Sequence, residues 1–155
     1  MPAEATGGPP GSFHAGFVSG SPSTQNLPKS EPLDLSGVRK QIDAFEADGK
    51  HLNDSLTRKL ASGPIDPKLA LTLNHGMMQV ERNWLNPDGI PGRPWFKHIL
   101  YGARFTYAHL ELPGLTEAVE AQDWPTAKQQ AEILQRALTK NTKLLQDLNE
   151  AVNSK

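Results

Sequence analysis

The chain has 155 residues, enough for one domain that can fold without disulfides or a structural metal. Its 16 basic and 17 acidic residues give a net charge of -1 and form no basic stripe, which argues against a nucleic-acid partner. There is no Cys, so disulfides are excluded, although this does not fix the compartment.

The N-terminal sequence predicts no membrane or secretory targeting segment. No apolar run approaches the roughly 20 residues that span a bilayer. The first residues also lack the basic start and apolar centre of a signal peptide. We therefore expect the chain as given to be soluble, with an unknown localisation.

Residues 1–32 differ in composition from the rest of the chain. Gly, Pro, Ser and Thr dominate, and the apolar residues Phe13, Phe17 and Val18 are isolated. Such a segment cannot bury enough apolar surface to fold, so we predict a disordered tail. The folded domain is predicted to occupy residues 33–152.

The first predicted helix begins near residue 35. Ser36 or Asp34 is its expected N-terminal cap, and Ser62, Gly63 and Pro64 end it. Apolar residues recur at helical spacing along one face: Leu35, Val38, Ile42, Phe45, Leu52, Leu56 and Leu60.

The second helix is predicted to begin at Asp66 and Pro67, a capping side chain followed by a proline in the first turn. We expect it to end at the turn formed by residues 86–89. Its predicted core face consists of Leu69, Leu73, Met77, Val80 and Trp84.

Residues 90–112 follow no regular pattern and are rich in aromatic side chains. They contain Trp95, Phe96, Tyr101, Phe105 and Tyr107, which are half of the aromatic residues in the chain. This combination indicates a packed functional loop. A simpler alternative, which we favour for Trp95, Phe96 and Tyr101, is that the rings fill the end of a helical bundle.

Two more helices complete the predicted fold. A short helix starts at Pro113 and runs to about Gln122, and Asp123 caps a long final helix that Pro125 opens. The apolar face of the final helix contains Ala131, Leu134, Leu138, Leu145, Leu148 and Val152. The pattern predicts an all-α fold, an antiparallel bundle of about four helices with the irregular loop between the second and third, and no alternating strand pattern.

No catalytic or metal-binding motif is evident in the chain. The five histidines are scattered, and His109 and Glu111 are expected to point in opposite directions from an extended stretch. The Gly89–Gly92 turn lacks the Lys and Ser or Thr of a phosphate-binding loop. From the residues alone we predict no catalytic residue and no metal site.

Residues 81–101 resemble part of the C-terminal helical dimerisation domain of the transferrin receptor and glutamate carboxypeptidase family. The shared pattern is an acidic and a basic residue ending a helix, a Pro-x-Gly-x-Pro turn from Pro87 to Pro91, then Arg93 and Pro94. Two aromatics, a basic residue, His98, two aliphatics and Tyr101 follow. The similarity extends from about residue 35 to residue 148.

The resemblance implies a domain that forms homodimers or docks onto a peptidase-like domain. The family's zinc ligands and catalytic acid belong to a peptidase domain that this sequence does not contain, so the resemblance implies neither an enzyme nor a cofactor in this chain. An apolar patch for association is expected around Trp95, Phe96, Tyr101, Leu110 and Leu112.

In the carboxypeptidase members, the resemblance further implies that the aromatic loop reaches the active site, where a Lys–Tyr pair holds the terminal glutamate of the substrate. Tyr107 matches that Tyr, but Thr106 stands in place of the Lys, and Arg104 is the nearest substitute. Loss of the ammonium removes a contact worth roughly 1.5–3 kcal/mol. Two alternatives to a dimerisation domain therefore stay open. The first is a C-terminal fragment of a zinc-dependent amino- or carboxypeptidase, and the second is a generic helical adaptor.

Overall fold

The computed structural model describes residues 33–103 and 109–154. Within these residues the elements follow in the order α1 (Ser36–Ser62), α2 (Pro67–Arg82), β1 (Tyr101–Ala103), β2 (His109–Glu111), α3 (Pro113–Glu120) and α4 (Trp124–Asn153). The predicted all-α class is confirmed, with four helices in the described part of the chain. The predicted tail lies outside the described residues.

Helix α4 is the centre of the bundle, and α1, α2 and α3 all pack against it. Its buried residues alternate at intervals of three and four, the spacing of a helix buried along one seam. The seam includes all six residues predicted for this face, Ala131, Leu134, Leu138, Leu145, Leu148 and Val152. Asn141 lies in the same seam and is fully buried.

Helix α1 runs parallel to α4. Near its start, Gly37 lies against Gln135, and further along Gly49 lies against Leu145. Val38, Leu52 and Ser55 are the buried residues of α1. Helix α1 packs against a single helix, α4, and this contact is narrower than the predicted apolar face. Three residues of that face are therefore exposed: Leu35, Ile42 and Leu60.

Helix α2 runs antiparallel to α4, since Gly76 lies against Leu148 while Val80, one turn later, contacts Asn141. The prediction that Met77 belongs to the core face is wrong, because Met77 is exposed and Gly76 is buried in its place. The helix also ends at Arg82, a few residues before the predicted turn. A glycine at the crossing lets the two helix backbones approach closely.

Aspartate side chains hold the first turns of three helices. The Asp66 carboxylate accepts hydrogen bonds from the backbone N–H groups of Lys68 and Leu69, as the Asp66–Pro67 pair predicts. Asp123 accepts from Thr126, and this hydrogen bond lowers the pKa of Asp123. Asp34 accepts from the N–H of Ser36, which lowers the pKa of Asp34 in the same way.

A short antiparallel hairpin that the sequence analysis did not predict connects α2 to α3. Tyr101 pairs with Glu111, and Gly102 pairs with Leu110. His109 and Glu111 are exposed on either side of the buried Leu110. The expectation that they point in opposite directions was wrong, because residues two apart on a strand share a face.

Across residues 33–103 and 109–154, no helix is both long and apolar enough to cross a bilayer.

Candidate protein-interaction surface

The segment from Asn86 to Tyr101, here called the aromatic turn, is closed by short-range backbone hydrogen bonds. The N–H of Asn86 donates to the carbonyl of Lys97 at 2.8 Å, and the N–H of Ile90 donates to the carbonyl of Phe96 at 3.1 Å. The side-chain amide of Asn86 donates to the carbonyl of Gly89 at 2.6 Å. These bonds fix the segment as a compact double turn rather than an open loop.

Gly89 is required for this shape. Its φ of 76° lies in the left-handed region that favours glycine. A Cβ atom at this position would lie 2.5 Å from the carbonyl oxygen of Pro94. Lys97 also holds the two sides of the turn together, because its ammonium donates to the carbonyls of both Pro87 and Pro94.

An ion pair ties the aromatic turn to α3. Nη2 of Arg93 lies 2.5 Å from the carboxylate of Glu117, and both side chains are partly shielded from solvent. The guanidinium also lies 5.8 Å from the centre of the Phe96 ring. Charge-assisted bonds of this kind constrain orientation as well as adding stability, so this pair tethers the turn to α3.

A three-residue cluster ties the other end of the aromatic turn to α2. Glu81 Oε1 lies 3.2 Å from His98 Nε2 and 3.3 Å from the Tyr101 hydroxyl. His98 Nδ1 accepts from the backbone N–H groups of Leu100 and Tyr101, which places the proton of the neutral ring on Nε2. The rings of His98 and Tyr101 are 3.9 Å apart.

These braces present two aromatic side chains to solvent. Trp95 is 72% exposed and Tyr101 is 57% exposed. Phe96 is half-buried and supports Trp95 edge-on, with ring centres 5.8 Å apart. The alternative that these rings fill the end of the bundle is therefore wrong for Trp95 and Tyr101. A rigid, exposed tryptophan is suited to contact with another macromolecule.

The two leucines of the predicted patch are placed differently. Leu110 is only 3% exposed, so its assignment to an exposed patch is wrong: it is the inward residue of β2. Leu112 is half-buried and packs against the core between α3 and α4. Of the residues predicted for a substrate pocket, Arg104, Thr106 and Tyr107 lie outside the described residues.

Other exposed apolar residues were missed by the sequence analysis. Leu71 and Met78 lie on the outer face of α2, and Leu85 follows its end. The signal that could have found Leu71 and Met78 is their spacing of seven residues, which places both on one face of α2.

In the part of the chain that the structure describes, no group of three or more His, Asp or Glu residues could hold a metal ion. The two polar clusters at the aromatic turn are instead Glu117 with Arg93, and Glu81 with His98 and Tyr101.

Comparison with known families decides the assignment. The profile of the transferrin receptor-like dimerisation domain matches residues 33–146, which include the whole bundle up to the last turns of α4. The chain belongs to this family. The aromatic turn lies inside the matched region of the dimerisation domain.

Relatives of this dimerisation domain are much longer proteins. It is 30% identical over 90 residues to a probable glutamate carboxypeptidase of Arabidopsis thaliana, covering 57% of this chain and 12% of that protein. It is 33% identical over 76 residues to a probable glutamate carboxypeptidase of Zea mays, covering 48% and 11%. An inactive zinc metalloprotease of Schizosaccharomyces pombe matches at 30% identity over 66 residues, covering 42% and 8%. The chain thus corresponds to about a tenth of these relatives.

Proposed function

We propose that this domain is a non-catalytic association module whose main partner is a second copy of its own chain. The observation that carries the proposal is the aromatic turn, which holds Trp95 and Tyr101 rigidly in solvent within a domain of a dimerisation family. An isolated apolar residue at a surface is ordinary, but a braced pair of large aromatics is typical of an interface anchor.

Rigidity supports this role physically. Association costs the entropy of each side chain that becomes ordered at the interface. Arg93 and His98 hold the loop on both sides of Trp95 through Glu117 and Glu81, so part of the ordering of this loop is in place before a partner arrives. In this proposal the two pairs, Arg93 with Glu117 and His98 with Glu81, hold the aromatic turn in place and take part in no reaction.

The proposal places any zinc and catalytic acid in a peptidase domain outside this chain. Two of the relatives are named as probable glutamate carboxypeptidases and a third as an inactive metalloprotease. Membership in their families therefore does not require activity. We expect the domain by itself to hydrolyse no peptide and to need no cofactor.

Sedimentation velocity across a concentration series tests the association. We expect the wild-type sedimentation coefficient to rise with concentration, and the Trp95→Ala/Tyr101→Ala variant to show a weaker rise. Leu60→Ala is the matched control, because Leu60 is an exposed apolar residue at the far end of α1. Equal behaviour of the wild type and the double variant would refute a role for the aromatic turn.

A second candidate function follows from the small share of the relatives that this chain covers. In a longer protein, Arg104, Thr106 and Tyr107 would line the substrate pocket of a peptidase domain. Mixing the chain with the matching peptidase domain and measuring hydrolysis tests this candidate. Increased hydrolysis that is lost in Tyr107→Ala would support it, whereas no change on mixing would count against it.

A further inference from the structure

A groove, here called the α4 groove, runs along one side of α4 where this helix faces the aromatic turn. It consists of two adjoining clefts of about 360 Å³ and about 170 Å³, and Asn86 and Ile133 line both of them. The aromatic turn and the residues that precede it form one wall. The α4 residues of the other wall recur at intervals of three and four, which places them on one helix face: Thr126, Gln129, Ile133, Arg136 and Lys140.

A buried glutamine lies in the wider cleft. Gln130 lines this cleft and is only 8% exposed, and among the described residues its side-chain amide has no hydrogen-bond partner. The amide oxygen packs so closely against Gly114 that a Cβ atom there would collide with it. Burying an amide without a partner is costly, and an amide both donates and accepts hydrogen bonds. The position therefore suits a ligand that brings an amide of its own.

The narrower cleft has two cations at its rim. Arg136 pairs with Glu132 at 3.7 Å, but these side chains are 68% and 69% exposed, and such a pair contributes little. Lys140 has no ion-pair partner within the described part of the chain. On the opposite wall, Leu85 is 47% exposed. This cleft therefore combines positive charge on α4 with an apolar surface facing it.

We infer that the α4 groove binds an extended segment of a partner protein in which an acidic residue follows an apolar one. Gln130 lies about eight residues before the midpoint of Arg136 and Lys140, or roughly 12 Å along the helix, which is the length of about four extended residues. Successive side chains of an extended segment point to opposite sides. A Glu that faces Arg136 and Lys140 therefore directs the preceding residue toward Leu85, and an amide four residues earlier returns to the α4 side at Gln130.

Charge complementarity determines which end of the groove takes the acid. Asp88 is exposed in the wall of the wider cleft, so it repels a carboxylate at that end. The groove thus suits a segment with its acid at the Arg136 end and a neutral amide at the other. Neither cleft is lined by Trp95 or Tyr101, so this surface is separate from the one proposed for self-association.

Peptide titration followed by nuclear magnetic resonance tests the inference. The probe is an acetylated and amidated hexapeptide, Asn-Ala-Ala-Leu-Glu-Ala, whose side-chain amide and acid are four residues apart. It should shift the side-chain amide signals of Gln130, which are identified by their loss in Gln130→Met. Replacing the Glu of the peptide by Gln should weaken binding about tenfold, because a charge-assisted contact is lost. The Arg136→Gln/Lys140→Gln variant should lose a similar factor.

The matched control is Arg58→Gln/Lys59→Gln, which removes the same charge near the far end of α1 and should bind the peptide like the wild type. Equal losses in the groove variant and this control would show that the peptide responds only to net charge, and would overturn the inference. A peptide that shifts no signal of the groove, or whose Gln analogue binds as tightly, would also overturn it. If the groove variant changes the mass of the chain in solution but not peptide binding, then the groove faces a second copy and the peptide assignment is wrong.

Discussion

Two helical glycines give a paired prediction about how closely the helices approach. A Cβ atom on Gly76 would lie 2.5 Å from Cδ2 and 2.7 Å from Cδ1 of Leu148 on α4. Leu148 is buried in a cluster with Leu52 and Leu73, so it has no open space into which to move. On α1, a Cβ atom on Gly49 would meet only Leu145 Cδ1, at an ordinary 3.8 Å.

The magnitudes follow from comparing the two alanine variants. Replacing a helical glycine by alanine stabilises a helix by about 1 kcal/mol, and this gain applies to both sites. Overpacking a core costs about 1–3 kcal/mol, and this penalty applies only to Gly76→Ala. We expect Gly49→Ala to raise the free energy of unfolding, and the two variants to differ by about 1–3 kcal/mol.

Urea denaturation followed by far-ultraviolet circular dichroism measures this difference. Protein concentrations should be low enough that dissociation of a dimer does not contribute to the unfolding free energy. If Gly76→Ala is stabilised as much as Gly49→Ala, then Gly76 does not lie as close to Leu148 as the 2.5 Å separation from a Cβ atom requires.

Three further changes probe the core, a helix cap and the aromatic turn. Asn141→Ala leaves the buried side-chain amide of Asn83 without its acceptor and removes the hydrogen bond to the Val80 carbonyl, so it should lower the free energy of unfolding by about 1–3 kcal/mol, measured by denaturation. Because the pKa of Asp123 is lowered in the folded state, its carboxylate stabilises the protein at pH values above the ordinary pKa of 3.8, and this stabilisation is lost as the pH falls below that value. The difference in unfolding free energy between the wild type and Asp123→Ala should therefore shrink in acid. A difference that stays constant with pH would contradict this. Arg93→Ala removes the pair with Glu117 and should speed amide hydrogen exchange in residues 86–97 relative to the core of α4; unchanged exchange would show that the ion pair does not brace the turn.

The starts of α2 and α4 and the end of α1 were predictable because they depend on neighbouring residues. Asp66 with Pro67, and Asp123 with Pro125, satisfy the free N–H groups of a first turn within four residues of chain. Gly63 ends α1 just after the predicted Ser62. Such signals need no knowledge of the tertiary structure.

Helix faces and the hairpin were less predictable, because packing decides them. Met77 is as apolar as any core residue, yet Gly76 faces α4, since only glycine permits the close approach. The buried polar pair Asn83 and Asn141 is invisible to an apolar pattern, although Asn83 donates to Asn141 at 2.7 Å. Each strand of the hairpin has three residues, too few for alternation to be recognised.

The candidate surface was partly predicted. Trp95 and Tyr101 were expected in the apolar patch that the family resemblance implies, and the structure places both in solvent. Leu110 was assigned to the same patch, but pairing with Gly102 turns its side chain inward. Exposure of one residue among several apolar neighbours depends on strand register, which the sequence alone does not specify here.

The mass of the wild-type chain in solution tests the central claim most directly. Multi-angle light scattering across a dilution series should give a mass approaching twice 16.9 kDa at high concentration and falling toward 16.9 kDa on dilution. A mass of 16.9 kDa at every concentration would contradict an association module whose partner is its own copy.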